Sequence, residues 1–192
     1  MLGDKLFQAA IFVDRDGTII EDLHYPREPQ KVTLIPNAVE GLRLMKEKGY
    51  LIFIVSNQSG VGRGLISDAE FSQVHERVCS LLQQSGIKID GFRYCFHHPE
   101  DKCLCRKPGI ELIPTSFNQQ PLDWAESFAV GDKLCDVELA NNLKATGCLV
   151  LTGKGQQSLT DLKTKIGYTK VQVFSDLLEM ARWIPEKHTK TR

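Results

Sequence analysis

A chain of 192 residues with 42% hydrophobic side chains is long enough for one well-buried core and short for two, which predicts a single domain over residues 1–185 and a frayed polar tail at 186–192. Twenty-four basic residues balance twenty-four acidic ones, so no net field draws the chain to nucleic acid or to an anionic membrane. Its longest apolar runs, Ala9–Val13 and Leu51–Val55, fall far short of a membrane span, and residues 1–8 carry no signal-peptide hydrophobic stretch, so a cytoplasmic monomer with a small-molecule partner is expected.

The first predicted element is the strand Ala9–Val13, which runs into Asp14-Arg15-Asp16-Gly17-Thr18. Alternation along an extended chain lets Asp14 and Asp16 converge and turns Arg15 elsewhere, and glycine supplies the turn that follows. At the carboxyl end of a parallel strand such a pair can hold a divalent cation and divide the nucleophile and acid/base duties. Alone, the same pattern reads as a solvated turn. Ile19–Lys31, with Glu21, Asp22, His24, Tyr25 and prolines at 26 and 29, predicts a loop beside the site. Ala38–Lys48 predicts an amphipathic helix stopped by Gly49, and Tyr50–Val55 a second buried strand. That strand ends in Ser56-Asn57-Gln58-Ser59-Gly60-Val61-Gly62-Arg63-Gly64. Its backbone N–H groups and hydroxyls can cradle a phosphate, although a glycine-rich turn is also a common structural device. Ser67 and Glu70 have the spacing of a capping box, which opens a helix running to Gly86, and Ile89–Tyr94 predicts a strand. His75, inside that helix, reads as a packed or surface histidine more readily than as a ligand.

Three of the six cysteines fall within eleven residues, which favours metal over disulfides, while Cys79, Cys135 and Cys148 read as thiols inside regular elements. Cys95, His97, Cys103 and Cys105 supply the four ligands that close a tetrahedral zinc site; His98 could replace His97, and three metal-free cysteines are the alternative. Four protein ligands leave no position for water, so this zinc would be structural and would fix the loop that delivers Arg106 and Lys107. Pro108–Asn118 predicts a short irregular helix, and Glu126–Val130 a strand that ends in Gly131-Asp132-Lys133-Leu134-Cys135-Asp136. Asp136 begins a helix through Leu143 and fits either its N-cap or a supporting role behind the metal ligands. Cys148–Leu151, Ser158–Ile166, Val171–Phe174 and Asp176–Ile184 continue as strand, helix, strand and helix. This alternation predicts an α/β fold, a doubly wound parallel sheet with helices on both faces and a zinc-bound loop. The intervals between Asp16, Ser56 and Lys107 leave no room for a separate cap domain.

A phosphate ester is dianionic and repels an attacking carboxylate, so Mg²⁺ between Asp14, Asp132 and the main-chain carbonyl of Asp16 would bridge the two. Asp14 is then the nucleophile, Asp16 the proton donor and acceptor, and Ser56 and Lys107 hold the phosphoryl oxygens. A substrate with a second anionic end would need further cations, for which Arg63, Arg106 and Lys133 are candidates.

Asp-x-Asp-Gly-Thr at 14–18, Ser56-Asn57, Lys107 and Gly-Asp-x-x-x-Asp at 131–136 resemble the four ordered motifs of the haloacid dehalogenase superfamily of phosphohydrolases, over residues 9–152. Within it, Asp14–Thr18, Asn57–Gly60 and the Cys-x-His…Cys-x-Cys-Arg-Lys-Pro loop are most similar to the D-glycero-D-manno-heptose 1,7-bisphosphate phosphatases. The resemblance implies removal of the 7-phosphate of this sugar bisphosphate on the route to nucleotide-activated heptose, with Mg²⁺ at the site and Zn²⁺ in the loop. It also implies substrate contacts at Asp22, Leu23, His24 and Tyr25, at Ser56, Asn57, Gln58 and Ser59, and at Arg106 and Lys133. Histidinol-phosphate phosphatases share the nucleophile motif and a similar zinc loop, but their cationic amine suits a basic recognition loop poorly. A nucleic-acid 3′-phosphatase is opposed by the balanced charge, and a non-catalytic zinc-stabilised binding module by the intact set of catalytic side chains.

Overall fold

The computed structural model describes residues 7–164 and 171–187. Its strands are β1 (Ala10–Val13), β2 (Leu51–Asn57), β3 (Gly91–Cys95), β4 (Ser116–Phe117), β5 (Gln120–Pro121), β6 (Phe128–Gly131), β7 (Thr146–Val150) and β8 (Gln172–Phe174). The helices are α1 (Ala38–Glu47), the single turn α2 (Ser59–Gly62), α3 (Asp68–Gln84), α4 (Leu134–Leu143), α5 (Gly155–Thr164) and α6 (Leu177–Trp183). Six strands form one parallel sheet in the order β3-β2-β1-β6-β7-β8, with Phe12 in register with Phe53 on one side and Ala129 on the other. The expected doubly wound sheet is therefore present, and its strand order reverses at β1, the position where open α/β sheets leave a crevice beyond the strand ends.

β1 has only four residues, all buried, and its side chains divide between two cores. Ile11 and Val13 pack with Leu42 and Met45 of α1, Val74 and Val78 of α3, and Leu177 and Met180 of α6. Ala10 and Phe12 pack on the other face with Leu139 and Leu143 of α4. Phe12 stacks on Phe53 there and on Trp124 (ring centroids 5.6 and 6.1 Å apart). A period-two division of this kind fixes register, because a one-residue slip would exchange the two cores. The capping box forms as the spacing requires: the Ser67 hydroxyl accepts the Glu70 N–H at 3.2 Å, and the Glu70 carboxylate accepts the Ser67 N–H at 2.8 Å.

Besides small shifts at element ends, which put Asp136 in the first turn of α4 and Lys133 at its N-cap, three segments differ from expectation. Pro108–Asn118 forms no helix. Pro108 and Pro114 bracket too few residues for one, and Asn118 and Gln119 take left-handed conformations (φ 47 and 64) that reverse the chain between β4 and β5. The helix expected from Ser158 already begins at Gly155, and its expected end at Ile166 lies outside the described residues. In the polar tail, the Lys187 N–H donates to the Lys48 carbonyl and its ammonium pairs with Glu126, while residues 188–192 lie outside the described set. Among the described residues, no helix is long and apolar enough to cross a membrane.

β1 is also anchored by Ser127, whose buried hydroxyl accepts the Ala10 N–H at 3.0 Å and donates to the Asp123 carbonyl at 2.5 Å. Ser127→Ala leaves a buried N–H without an acceptor. It should lower unfolding free energy by about 1–3 kcal/mol, read from urea titration as a lower midpoint at unchanged slope.

Candidate active site

The carboxyl ends of β1, β2 and β6, together with the loop after β3, enclose a cavity of about 240 Å³. Asp14 follows β1, and its N–H donates to the Val130 carbonyl of β6 at 2.9 Å, so sheet pairing itself sets its position. Asp132 follows β6, and its Oδ2 accepts the Lys154 N–H at 2.8 Å. Gly17, at φ +86, makes the turn after Asp16, and a Cβ there would run into the Asp132 carboxylate, so glycine alone fits. The Thr152 hydroxyl closes the same turn by donating to the Gly17 carbonyl at 2.7 Å.

Lys107 enters this acidic floor from the loop. Its Nζ donates to Asp14 Oδ1 at 2.7 Å and to the Val55 carbonyl at 2.5 Å, and it pairs with Asp136 Oδ1 at 2.6 Å. Burial works against its charge, but Asp136 and Asp14 outweigh it and hold the ammonium protonated. Burial likewise opposes ionisation of Asp14, and Lys107 and Lys133 override it, so its carboxyl stays below the usual range and the group is anionic at neutral pH. Burial and the charge of Asp14 push Asp132 up to about 6.

The oxygens expected to take Mg²⁺ already converge on a cation. The Lys133 ammonium lies 3.3 Å from Asp132 Oδ1, 3.3 Å from the main-chain carbonyl of Asp16 and 3.8 Å from Asp14 Oδ2. Asp132 Oδ1 is buried and accepts no hydrogen bond. Hard oxygens gathered around one positive centre fit a divalent cation of this class, with Asp136 lying within the same acidic cluster.

Asp16 is held differently. Arg15 does not turn elsewhere: its fully buried guanidinium curls back onto its neighbour, with Nε 3.0 Å from Asp16 Oδ2 and Nη2 3.0 Å from Oδ1. Gln58 links the two, donating to Asp16 Oδ2 at 2.7 Å and accepting from Arg15 Nη2 at 2.9 Å. Phe71 and Tyr94 face the guanidinium, with their ring centroids 5.7 and 5.8 Å from it. Ser56 is buried beside them and its hydroxyl accepts from Gln58 at 2.9 Å.

Of the expected substrate contacts, Asp22, His24, Tyr25, Ser56, Asn57, Gln58, Ser59, Arg106 and Lys133 line the cavity; Leu23 and Arg63 do not. The Asp22 Oδ1 accepts the His24 N–H at 3.1 Å, which supports left-handed conformations at His24 and Tyr25 (φ 50 and 70). Asn57 lines the wall, but both ends of its amide hold the backbone of Lys107: Oδ1 accepts the Lys107 N–H at 2.9 Å and Nδ2 donates to its carbonyl at 3.1 Å. The front of the glycine-rich turn, Ser59 and Gly60, lines the cavity, whereas its later amides are engaged. The N–H groups of Val61, Arg63 and Gly64 bond back within it, and a Cβ on Gly62 would strike the backbone of Phe96 and His98, so this glycine lets the turn and the cysteine loop touch.

In that loop Cys95, His97, Cys103 and Cys105 converge. The sulfur pairs lie 3.3–3.6 Å apart, and His97 Nδ1 is 3.1 Å from Cys105 Sγ and 3.7 Å from Cys95 Sγ. A tetrahedron with metal–sulfur bonds of about 2.3 Å has edges of about 3.8 Å, so the set fits zinc closely. His98 is engaged elsewhere: its Nδ1 accepts the Glu100 N–H at 3.2 Å.

A family model described as "HAD-hyrolase-like" matches residues 104–180. The chain is 38% identical over 135 residues to a probable D-glycero-D-manno-heptose-1,7-bisphosphate 7-phosphatase of Thermoplasma volcanium, covering 70% of this chain and 92% of the relative. It is 37% identical over 153 residues to the D-glycero-beta-D-manno-heptose-1,7-bisphosphate 7-phosphatase of Photorhabdus laumondii, covering 76% and 81%. Among solved structures, the D,D-heptose 1,7-bisphosphate phosphatase of B. bronchiseptica, complexed with magnesium and phosphate, superposes with a TM-score of 0.81 at 28% identity, over 92% of this chain and 97% of the other.

Sequence reasoning missed Arg15 and Lys154. A charge enclosed by an apolar strand and a turn needs a buried partner, which was the available signal for Arg15. Lys154 follows β7, a strand end carrying no acid. Arg15→Met removes three donors from Asp16 and Gln58 in a nearly closed pocket. Stability should fall by about 2–3 kcal/mol, checked by chemical denaturation, and an unchanged midpoint would mean that Asp16 finds another partner.

Proposed function

Because the chain belongs to the heptose-1,7-bisphosphate phosphatase family of haloacid dehalogenase-like hydrolases, we propose that it hydrolyses the 7-phosphate of D-glycero-D-manno-heptose 1,7-bisphosphate and leaves the 1-phosphate in place. It acts as a single-domain monomer in the cytoplasm, in the activation of heptose, without nucleic acid or membrane. The observation that carries the reading is Asp14: buried and ionised, it lies at the reversal of strand order with Lys107 and Lys133 beside it.

Asp14 attacks the phosphorus. A carboxylate oxygen–phosphorus bond forms as the bond to the sugar oxygen breaks, and Asp16 delivers a proton to that leaving oxygen. Asp16 then takes a proton from the water that cleaves the aspartyl-phosphate, which frees inorganic phosphate and restores Asp14. Between the two steps Asp16 must change protonation without changing place, and Arg15 and Gln58 hold it there. Lys107 and Ser56 hold the phosphoryl oxygens, and Asn57 acts by positioning Lys107. Asp14, Asp132 and the Asp16 carbonyl would hold Mg²⁺, which would supply the positive charge that lets a carboxylate approach a phosphate dianion. Cys95, His97, Cys103 and Cys105 would hold a structural zinc, which would fix the path of Arg106 and Lys107.

The deciding assay compares Mg²⁺-dependent phosphate release from the α and β anomers of heptose 1,7-bisphosphate with that from histidinol phosphate. A higher kcat/KM on either heptose supports the reading; preference for histidinol phosphate overturns its substrate while leaving the chemistry. Asp14→Asn should lower turnover by at least about 10³-fold with an unchanged circular dichroism spectrum, and retained activity would remove Asp14 as nucleophile. Protein purified without chelator should contain one equivalent of zinc. Cys103→Ser should lose that metal together with much of its activity; full activity in a zinc-free variant would refute the loop's supporting role.

A further inference from the structure

Lys154 is the least committed lysine of the cavity. Lys107 is closed in by Asp14 and Asp136, and Lys133 lies among Asp14, Asp132, Asp22 and the Asp16 carbonyl. Among the described residues the Lys154 ammonium has a single ion-pair partner, Asp22 Oδ2 at 3.8 Å, and its side chain is 52% exposed. The same Asp22 oxygen lies 3.8 Å from Lys133. One carboxylate oxygen is thus shared by two ammonium groups at distances too long for direct hydrogen bonds, with both lysines and the aspartate on the cavity wall.

Long, half-exposed pairs of this kind hold weakly, and a phosphate dianion offers an ammonium more charge and more acceptor oxygens than a carboxylate does. Lys133 also reaches the nucleophile, so its ammonium spans from the reacting centre to this outer pair. Resting on the bisphosphatase reading above, we infer that Lys154 is a specificity-determining residue: it leaves Asp22 and, with Lys133, receives the second, non-reacting phosphate of the substrate. Asp22 holds the place of that phosphate in the free enzyme and keeps the two like charges from repelling each other. Arg63, outside the cavity, takes no part.

The main chain of Lys154 is separate from this role, since its N–H supports Asp132 whatever the side chain. Lys154→Ala and Lys154→Arg can therefore be compared with wild type on heptose 1,7-bisphosphate and on heptose 7-phosphate, which lacks the second phosphate. In the alanine variant the preference for the bisphosphate, as a ratio of kcat/KM values, should fall about tenfold through a higher KM for the bisphosphate, and arginine should keep most of it. A wild-type preference retained in Lys154→Ala, or a fall in kcat shared equally by both substrates, overturns the assignment while the phosphatase reading stands. A wild-type enzyme that hydrolyses neither sugar overturns that reading and this inference together.

Discussion

The buried ammonium of Lys107 is the constraint around which the site is built. A lysine with 4% exposure is tolerable only if its charge is matched and its protons accepted, and Asp14, Asp136 and the Val55 carbonyl do both. These partners come from the end of β1, from β2 and from the first turn of α4, so satisfying one cation ties these three elements together at the crevice. The same cation, with Lys133, keeps Asp14 ionised where burial alone would favour the neutral, non-nucleophilic acid. Fold stability and nucleophile activation therefore depend on a single group, and removing either carboxylate would leave the ammonium under-compensated in a closed pocket.

Lys107 belongs to no regular element, which explains the structure around it. A lysine on a free loop would lose side-chain and backbone entropy on entering the floor. Asn57 meets part of that cost by holding both backbone polar groups of Lys107 from the end of β2. The convergence of Cys95, His97, Cys103 and Cys105 shortens the mobile path on the other side, and Gly62 lets the turn after β2 press against that path. Arg15, Gln58, Phe71 and Tyr94 form a second enclosure around Asp16. The two acids of the first motif are consequently held by different cations, Asp14 by Lys107 and Asp16 by Arg15, and this gives chemically identical side chains different environments.

Periodicity made the sheet and most helices legible, because five-residue apolar runs bounded by acids and glycines have few other readings. The carboxylates were legible for the same reason, each lying one step beyond such a run. Side chains facing inward from turns were not. Asn57 and Gln58 do line the cavity, but the groups that engage their amides, Lys107, Asp16 and Arg15, come from other parts of the chain and could not be read in one dimension. Pro108–Asn118 misled because its scattered apolar residues, Ile113 among them, pack on the second core from turns, without helical repetition.

Among the described residues no cap domain covers the site, so discrimination by them falls to charges fixed around the mouth. At physiological ionic strength such charges act over about 8 Å, which confines useful recognition to groups in or near contact. An array of bare lysines would meet that need and repel itself, whereas acids threaded between them allow close spacing. Asp132 and Asp22 stand in this relation to Lys133, and Asp22 to Lys154. The acid–base alternation along the wall thus resolves a conflict between stability of the free protein and affinity for an anion. Each lysine keeps a partner when the cavity is empty, and the partners are weakest at the outer end, where exchange for a substrate phosphate has to be easy.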